Sequence, residues 1–348
     1  MARRRRRPGK KKTASQRLSL KIGVGLTVFA ILWGAAGEWY VHHSRKWLDR
    51  KRETWPGIVT AALEGFGSPL ADFTDALGWT GHDAVYEYDQ EAPAGSVFFA
   101  GAPVRTGSPA PDDIILLDRG EFVVGWSKKL RHPVWCAYHV TPQARFDPGK
   151  RPGFTLDKHV DGAPRPDDYK KSGYDRGHMV PNYAIATRYG DDMRKKTFRM
   201  SNIAPQTPAL NRGVWREVEH RIADLWTRRY GEIWVVVGAI SPESNRETLA
   251  GGKNIDVPQQ YYQVIMAQEG MNVRALAMVF DQNVSWYEWA ARNIISIDDL
   301  EELTGLDFNP ALPDFIESPM EAELPSRMWP IHPWDIFKLV AIRFKLDV

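Results

Sequence analysis

The chain has 348 residues, 43% hydrophobic and 26% charged, which is ordinary for a folded protein with one or two cored domains. Its formal net charge of +3 is misleading: residues 1–37 carry ten Lys or Arg and no acid, leaving 36 basic against 43 acidic residues elsewhere. A globally basic surface is therefore excluded as a reason to bind nucleic acid, and any attraction for a polyanion must come from a local cleft. Cys136 is the only cysteine, which excludes an internal disulfide and a cysteine-based zinc site; its apolar neighbours predict a buried, inert thiol.

Residues 1–21 form a basic head. Residues 22–37 are uncharged and mostly apolar, Glu38 ends the run, and Trp39 and Tyr40 supply an aromatic boundary. A bilayer span needs about 20 apolar residues, reached here by taking in Leu18 to Leu20 and Trp39 to Val41. Basic-before-apolar order predicts a transmembrane signal anchor over residues 22–41, with a cytoplasmic head and the bulk of the chain periplasmic or extracellular. A signal peptide cleaved near Ala36, giving a secreted protein, and an Arg-rich mitochondrial presequence are the alternatives. Residues 42–112 read as a juxtamembrane helix followed by a Gly-, Pro- and Asp-rich linker.

The cored domain is expected over residues 113–325. Gly120 to Trp126 and Pro133 to Thr141 read as strands joined by a basic turn. Residues 142–173 form a long irregular excursion of the kind that carries function in a compact domain. Residues 210–229 carry a helical period, with Val214, Trp215, Val218, Ile222, Leu225 and Trp226 on one apolar stripe and Arg212, Arg216, His220, Asp224 and Thr227 pointing away. Ile233 to Gly238 is a fully apolar strand, central in a sheet. Gln260 to Ala267 and Val273 to Phe280 read as a hairpin. Ser296 to Gly305 reads as a short helix with Ser296 at its N-cap and Gly305 at its end. Residues 326–348 form a tail, with Trp334 to Phe344 placing an apolar helical face against the domain or a membrane surface.

Three motifs stand in order: Tyr174-Asp175-Arg176-Gly177-His178, Ser201-Asn202-Ile203-Ala204-Pro205-Gln206, and Leu210-Asn211-Arg212-Gly213-Val214-Trp215 with Glu219 beyond. Phosphodiester hydrolysis needs a base to activate water, positive charge for the transition state, and help for the leaving oxygen. His178 suits the base, since an ordinary imidazole titrates near neutrality; a strand histidine with a merely structural hydrogen bond is the alternative. Asn211 falls in the apolar stripe, where an unpaired amide costs about 1–3 kcal/mol. A hydrated cation would satisfy it, and so would capping the helix start. Glu219 suits water held on such an ion, or a surface pair with Arg216 or Arg212. One protein oxygen plus waters suits Mg²⁺, with Mn²⁺ as the substitute.

The three motifs together resemble the DNA/RNA non-specific endonuclease family, the ββα-metal nucleases of the endonuclease G and DNA-entry nuclease type, over about residues 114–315. The resemblance implies an α+β fold: a central, mainly antiparallel sheet flanked by helices, here preceded by the N-terminal transmembrane helix. It implies His178 as general base, Asn211 as the single direct protein ligand of Mg²⁺, and Glu219 orienting metal-bound water. Arg176 and Asn202 would hold the phosphate or support the site, and Asp175 would orient its surroundings. An upstream arginine usually contacts the phosphate; Arg151 is the candidate and Arg145 the runner-up. The family often has a basic residue one turn after Glu219, where this chain has Ala223.

The ββα element is expected as a strand at Arg176 to Val180, a connection containing Arg188 to Phe198, a strand at Arg199 to Ala204, and a helix from about Ala209. Arg188, Arg194, Lys195, Lys196 and Arg199 make the connection basic, either as a rail for a nucleic-acid backbone or as a solvated helix face. The implied activity is hydrolysis of DNA and RNA without sequence preference, leaving 5′-phosphate ends. The alternatives are a membrane-tethered nucleic-acid-binding protein with weak catalysis, and a phosphodiesterase for another substrate. A homodimer is compatible with the resemblance, and no feature of the chain identifies an inhibitor protein.

Overall fold

A computed structural model describes residues 85–87, 95–106, 114–242, 244–250, 254–286, 288–332, 335 and 339. The basic head and the apolar run at 22–41 lie outside them, as does most of the expected helix at 334–344. Among the described residues no helix is long and apolar enough to cross a membrane.

Twelve strands are named in chain order: β1 (Val85–Glu87), β2 (Val104–Arg105), β3 (Ile114–Asp118), β4 (Phe122–Ser127), β5 (His132–Val140), β6 (Asp175–His178), β7 (Ile203–Gln206), β8 (Ile233–Ile240), β9 (Gln260–Glu269), β10 (Asn272–Asp281), β11 (Ile294–Ile295) and β12 (Leu306–Asp307). The main sheet runs β1-β10-β9-β8-β5-β4-β3, with β11 pairing with β10, and every pairing is antiparallel. The apolar run at 233–240 therefore lies in the middle, with β5 and β9 on either side, as a strand buried on both faces should. The β9–β10 hairpin turns at Gly270, whose φ of +61° is left-handed.

Period-two alternation sorts the faces. Tyr262, Val264 and Met266 of β9 pack with Ile297, Leu300, Leu312 and Met320 under the helices Ile297–Thr304 and Asp314–Ala322. The intervening Tyr261 turns to the other face, where its ring meets Trp215 and its hydroxyl donates to Pro205 O. That second face carries the ββα element. The 297–304 helix is capped as the sequence predicts: Ser296 Oγ accepts from Asp299 N, and Gly305 closes the end at φ +64°.

The expected linker is corrected. Residues 85–87 extend the sheet edge against β10, Phe99 and Ala100 are buried in the core, and β2 pairs with β12. The described stretches 85–87 and 95–106 thus belong to the domain rather than to a tether outside it. The start of the tail packs back on the domain: Met328, Trp329 and Ile331 are buried, and Trp226 Nε1 and Tyr230 Oη donate to the carbonyls of Trp329 and Pro330.

Candidate active site

β6 and β7 form a small antiparallel ribbon of their own, pairing Asp175 with Gln206 through His178 with Ile203. Both strands sit differently from expectation. The first starts at Asp175 and ends at His178; a 3-10 turn (Met200–Asn202) takes the place of the second strand's expected start, so that strand begins at Ile203. Between them runs α1 (Asn182–Thr197), broken at Gly190 by a left-handed φ of +83°. After β7 come α2 (Pro208–Arg212), α3 (Val214–His220), a π-helical turn (Arg221–Trp226) and α4 (Thr227–Tyr230). The expected single helix over 210–229 is thus interrupted. Gly213 makes the break: its ψ of −116° is non-helical, and an added Cβ would fall 2.3 Å from Ala209 O. The phase shift also buries Thr227, expected to point outward, which donates to Ala223 O at 2.8 Å.

His178 is buried, and its Nε2 has no hydrogen-bond partner among the described residues. Phe154 and Phe198 flank the imidazole at ring-centre distances of 5.2 and 4.7 Å. Burial, then the charges of Arg151 and Arg194, push its pKa down to about 3, so the ring is neutral at physiological pH.

Asp175 ties this strand to α2. Asn211 Nδ2 donates to Asp175 Oδ2 at 2.8 Å, and Arg212 Nε donates to the same oxygen at 2.7 Å while its other nitrogen reaches Oδ1. Burial raises the Asp175 carboxyl, but hydrogen bonds from Arg212 and Asn211, with the Arg212 and Arg176 charges, hold it below its ordinary value. An ionised carboxylate only accepts, so the Asn211 amide must present its NH₂ end to Asp175 and turn Oδ1 away. Asn211 is not the helix cap: Thr207 takes that place, its Oγ1 accepting from Leu210 N. A strand rise of about 3.3 Å per residue sets the Cα atoms of Asp175 and His178 about 10 Å apart, which brings the amide and the imidazole to the two ends of one short strand.

Glu219 lies near the end of α3. Burial pushes its carboxyl up to about 8, against the pull of the Trp215 indole and the Arg216 guanidinium. Of the surface partners expected for it, Arg212 is instead paired with Asp175.

Arg151 comes from the excursion at 142–173, which is stitched to the ribbon. Thr155 N donates to Phe198 O at 3.0 Å and Met200 N to Thr155 O at 2.9 Å; buried Asp157 accepts from Arg119 and from Ser201 Oγ. This brings Arg151 within electrostatic reach of His178. The runner-up, Arg145, is exposed, and its backbone N–H donates to Thr187 O. Arg176 Cζ lies 5.0 Å from the Phe154 ring centre.

Asn202 is drawn inward. Its Oδ1 accepts from Val180 N at 3.0 Å, and its Nδ2 donates to Val180 O and Thr197 O, both at 3.0 Å. With 1% of its surface exposed it has no donor left for a phosphate, so of the two roles implied for it, support of the β6 exit is the one the geometry leaves. In the basic connection three cations are turned inward. Arg188 donates to Thr141 O, Thr187 Oγ1 and Ala223 O, Arg194 to Gly149 O, and Lys196 to Arg119 O. Lys195 is paired with Asp192.

Residues that motif reasoning passed over complete the support. Buried Gln282 accepts from Thr207 N at 2.9 Å and donates to Pro205 O and Pro258 O at 2.8 and 3.0 Å, pinning the start of α2 to β7. Gln206 lies across Gly177. Gln282 shows no local signal, because it acts through partners distant in sequence, whereas Gln206 closes the second motif. Asp298, Glu301 and Glu321 also converge, on the helices of the opposite face of the sheet.

The sequence profile of the family described as DNA/RNA non-specific endonuclease matches residues 100–315. Among curated relatives, the mitochondrial nuclease EXOG of Danio rerio is 30% identical over 212 residues, covering 55% of this chain and 59% of the relative. A mitochondrial nuclease of Saccharomyces cerevisiae is 27% identical, covering 57% and 66%. The mitochondrial endonuclease G of Homo sapiens is 26% identical, covering 56% and 69%. The chain thus spans less than two thirds of the length of the EXOG relatives it matches. A solved structure of an EndoG/EndoGI complex shares the fold at a TM-score of 0.52 and 22% identity, covering 60% of this chain and 91% of that one. With its profile match running through the sheet and the ribbon alike, the chain belongs to the DNA/RNA non-specific endonuclease family.

Proposed function

We propose that the chain is a metal-dependent nuclease hydrolysing phosphodiester bonds of DNA and RNA, with His178 as the general base. One observation carries the reading: a neutral imidazole within reach of the Arg151 and Arg194 charges shares a four-residue strand with a carboxylate that accepts from Asn211 Nδ2.

Each residue has a physical part. His178, uncharged, accepts a proton from the attacking water. Its desolvated pocket and adjacent cations disfavour the imidazolium in the empty site, and a phosphate placed among those cations would restore its basicity. Arg176 and Arg151 offer guanidinium edges to the phosphate oxygens; among the described residues neither makes an ion pair with a carboxylate. The donor set fits a hard divalent cation, since a single outward amide oxygen leaves most of the coordination to water, as Mg²⁺ prefers and Mn²⁺ accepts. Asn211 would hold the ion through Oδ1, and Glu219, whose carboxyl burial pushes up to about 8, would ionise beside the cation and orient its waters. When bound, it would supply Lewis-acid stabilisation of the leaving 3′-oxygen. Asp175 keeps the amide in the competent orientation, as an outer partner does for a metal ligand. Backbone contacts without base-edge readout would give little sequence preference.

The test is digestion of plasmid DNA and of RNA by the full chain, with Mg²⁺, Mn²⁺ or chelator. Loss of cutting in chelator and in Asn211→Ala and His178→Ala is expected; undiminished cutting by His178→Ala would remove the base assignment. Mitochondrial names among the relatives favour reading the acid-free, Arg-rich N-terminus as a presequence over an anchor. Fractionation of cells expressing the tagged full chain would separate the two.

A further inference from the structure

Two aromatic rings contact three charged or titratable groups of the candidate site: Arg151, Arg176 and His178. Arg151 Cζ lies 5.9 Å from the ring centre of Phe154 and 5.4 Å from that of Phe198, and Arg176 Cζ lies 5.0 Å from Phe154. The His178 imidazole is tilted at 41° to Phe154 and meets Phe198 edge-on at 77°. The two phenyl rings themselves are 5.1 Å apart. Phe154 alone touches both arginines and the histidine. We propose that Phe154 is a positioning residue for phosphate recognition: it seats the Arg151 and Arg176 guanidinium groups on its π faces and so keeps their N–H edges aimed at the substrate. The proposal rests on the phosphodiesterase reading above and deepens it.

The physical case starts from charge. Two guanidinium groups without carboxylate partners repel one another and would drift apart in water. An ion pair would fix them but would occupy the donors that a phosphate needs. A ring face attracts the cation through its quadrupole while leaving the planar N–H fork unoccupied. Phe154 is itself held from behind: it packs on the cluster of Tyr169, Met200, Ile203 and Val257, and its chain neighbour Thr155 is bonded to Phe198 and Met200. The seat is therefore rigid where the guanidinium groups are not. The bland alternative is that Phe154 only fills the space beneath the excursion.

Phe154→Leu keeps the approximate volume and removes the π face; Phe154→Tyr keeps the face. Each full-length variant is compared with wild type in two measurements: steady-state cleavage of DNA with Mg²⁺, and binding of a short DNA duplex in chelator across a salt series. Phe154→Leu is expected to raise KM about tenfold and to lower the slope of log K against log salt by roughly 1–2, one per misplaced phosphate contact. Phe154→Tyr is expected to stay within about twofold of wild type, as a retained ring face requires. A loss of folded protein alone would lower the amplitude of both signals and leave KM and the slope where they were. Should Phe154→Leu not fold, Arg151→Lys carries the test, because it keeps the charge and loses the stack; the same rise in KM is expected. Unchanged KM and slope in Phe154→Leu, or equal damage from Leu and Tyr, overturns the proposal. Wild type that neither binds nor cuts removes the phosphodiesterase reading and the seat with it, whereas wild type that cuts and is matched by Phe154→Leu removes the seat alone.

Discussion

The sharpest prediction concerns protons on His178. Its pKa falls from the ordinary 6.5 to about 3 through burial, then the charges of Arg151 and Arg194. The kcat/KM profile reports the free enzyme, so its acid limb should lie well below pH 6. Substrate changes the balance. A phosphate charge about 5 Å from the ring, at an effective dielectric near 20, stabilises the imidazolium by about 3 kcal/mol, roughly a hundredfold in protonation. The acid limb of kcat should therefore sit about two pH units above that of kcat/KM. The stability sign follows from the same numbers. The folded pKa lies below the unfolded one, so the unfolded chain binds the proton more tightly. His178's contribution is complete above about pH 6.5 and declines as pH falls toward 3, by at most about 4–5 kcal/mol. Urea unfolding of wild type and His178→Asn across pH 4–8 should show the two converging in acid. Coincident acid limbs near pH 6.5 for both kinetic parameters, with no pH-dependent difference in stability, would refute the reasoning.

Four further perturbations test the supports. Asp175→Asn offers Asn211 a donor in place of an acceptor, so the amide can flip; the Mg²⁺ concentration for half-maximal cutting should rise about 10–100-fold. Gly177→Ala places a Cβ 2.1 Å from Gln206 Oε1 and 2.6 Å from its Cγ, and Gln206 is fully buried; thermal denaturation should show a loss of about 1–3 kcal/mol together with lost cutting. Gln282→Ala strands Thr207 N–H and Pro258 O, while Pro205 O keeps the Tyr261 hydroxyl, costing about 2–3 kcal/mol and weakening metal-dependent turnover by loosening α2. Arg188→Met should lower stability yet leave the salt slope of DNA binding unchanged, because Arg188 faces protein carbonyls; a reduced slope would restore the rail.

What the sequence revealed and what it hid divide along one physical line. Local chemistry was legible. The apolar run at 233–240 lies in the middle of the sheet, Ser296 and Gly305 bound their helix, and Cys136 is buried with its thiol pKa pushed up. Long-range chemistry was not legible, and it governs the site. Nothing near Asn202 announces that its amide will bind Val180 and Thr197, and the cations of α1 look like a polyanion track until the carbonyls of Thr141, Gly149 and Ala223 are brought to them. Buried backbone acceptors must find donors, and here the carbonyls of Thr141, Gly149 and Ala223 draw arginines inward to meet them. Arg151 and Arg176 lie on ring faces without such carbonyls or carboxylates among the described residues, which is why they are the cations proposed to meet an anionic substrate. A basic residue's function in this fold is thus set by which acceptors the chain brings to it.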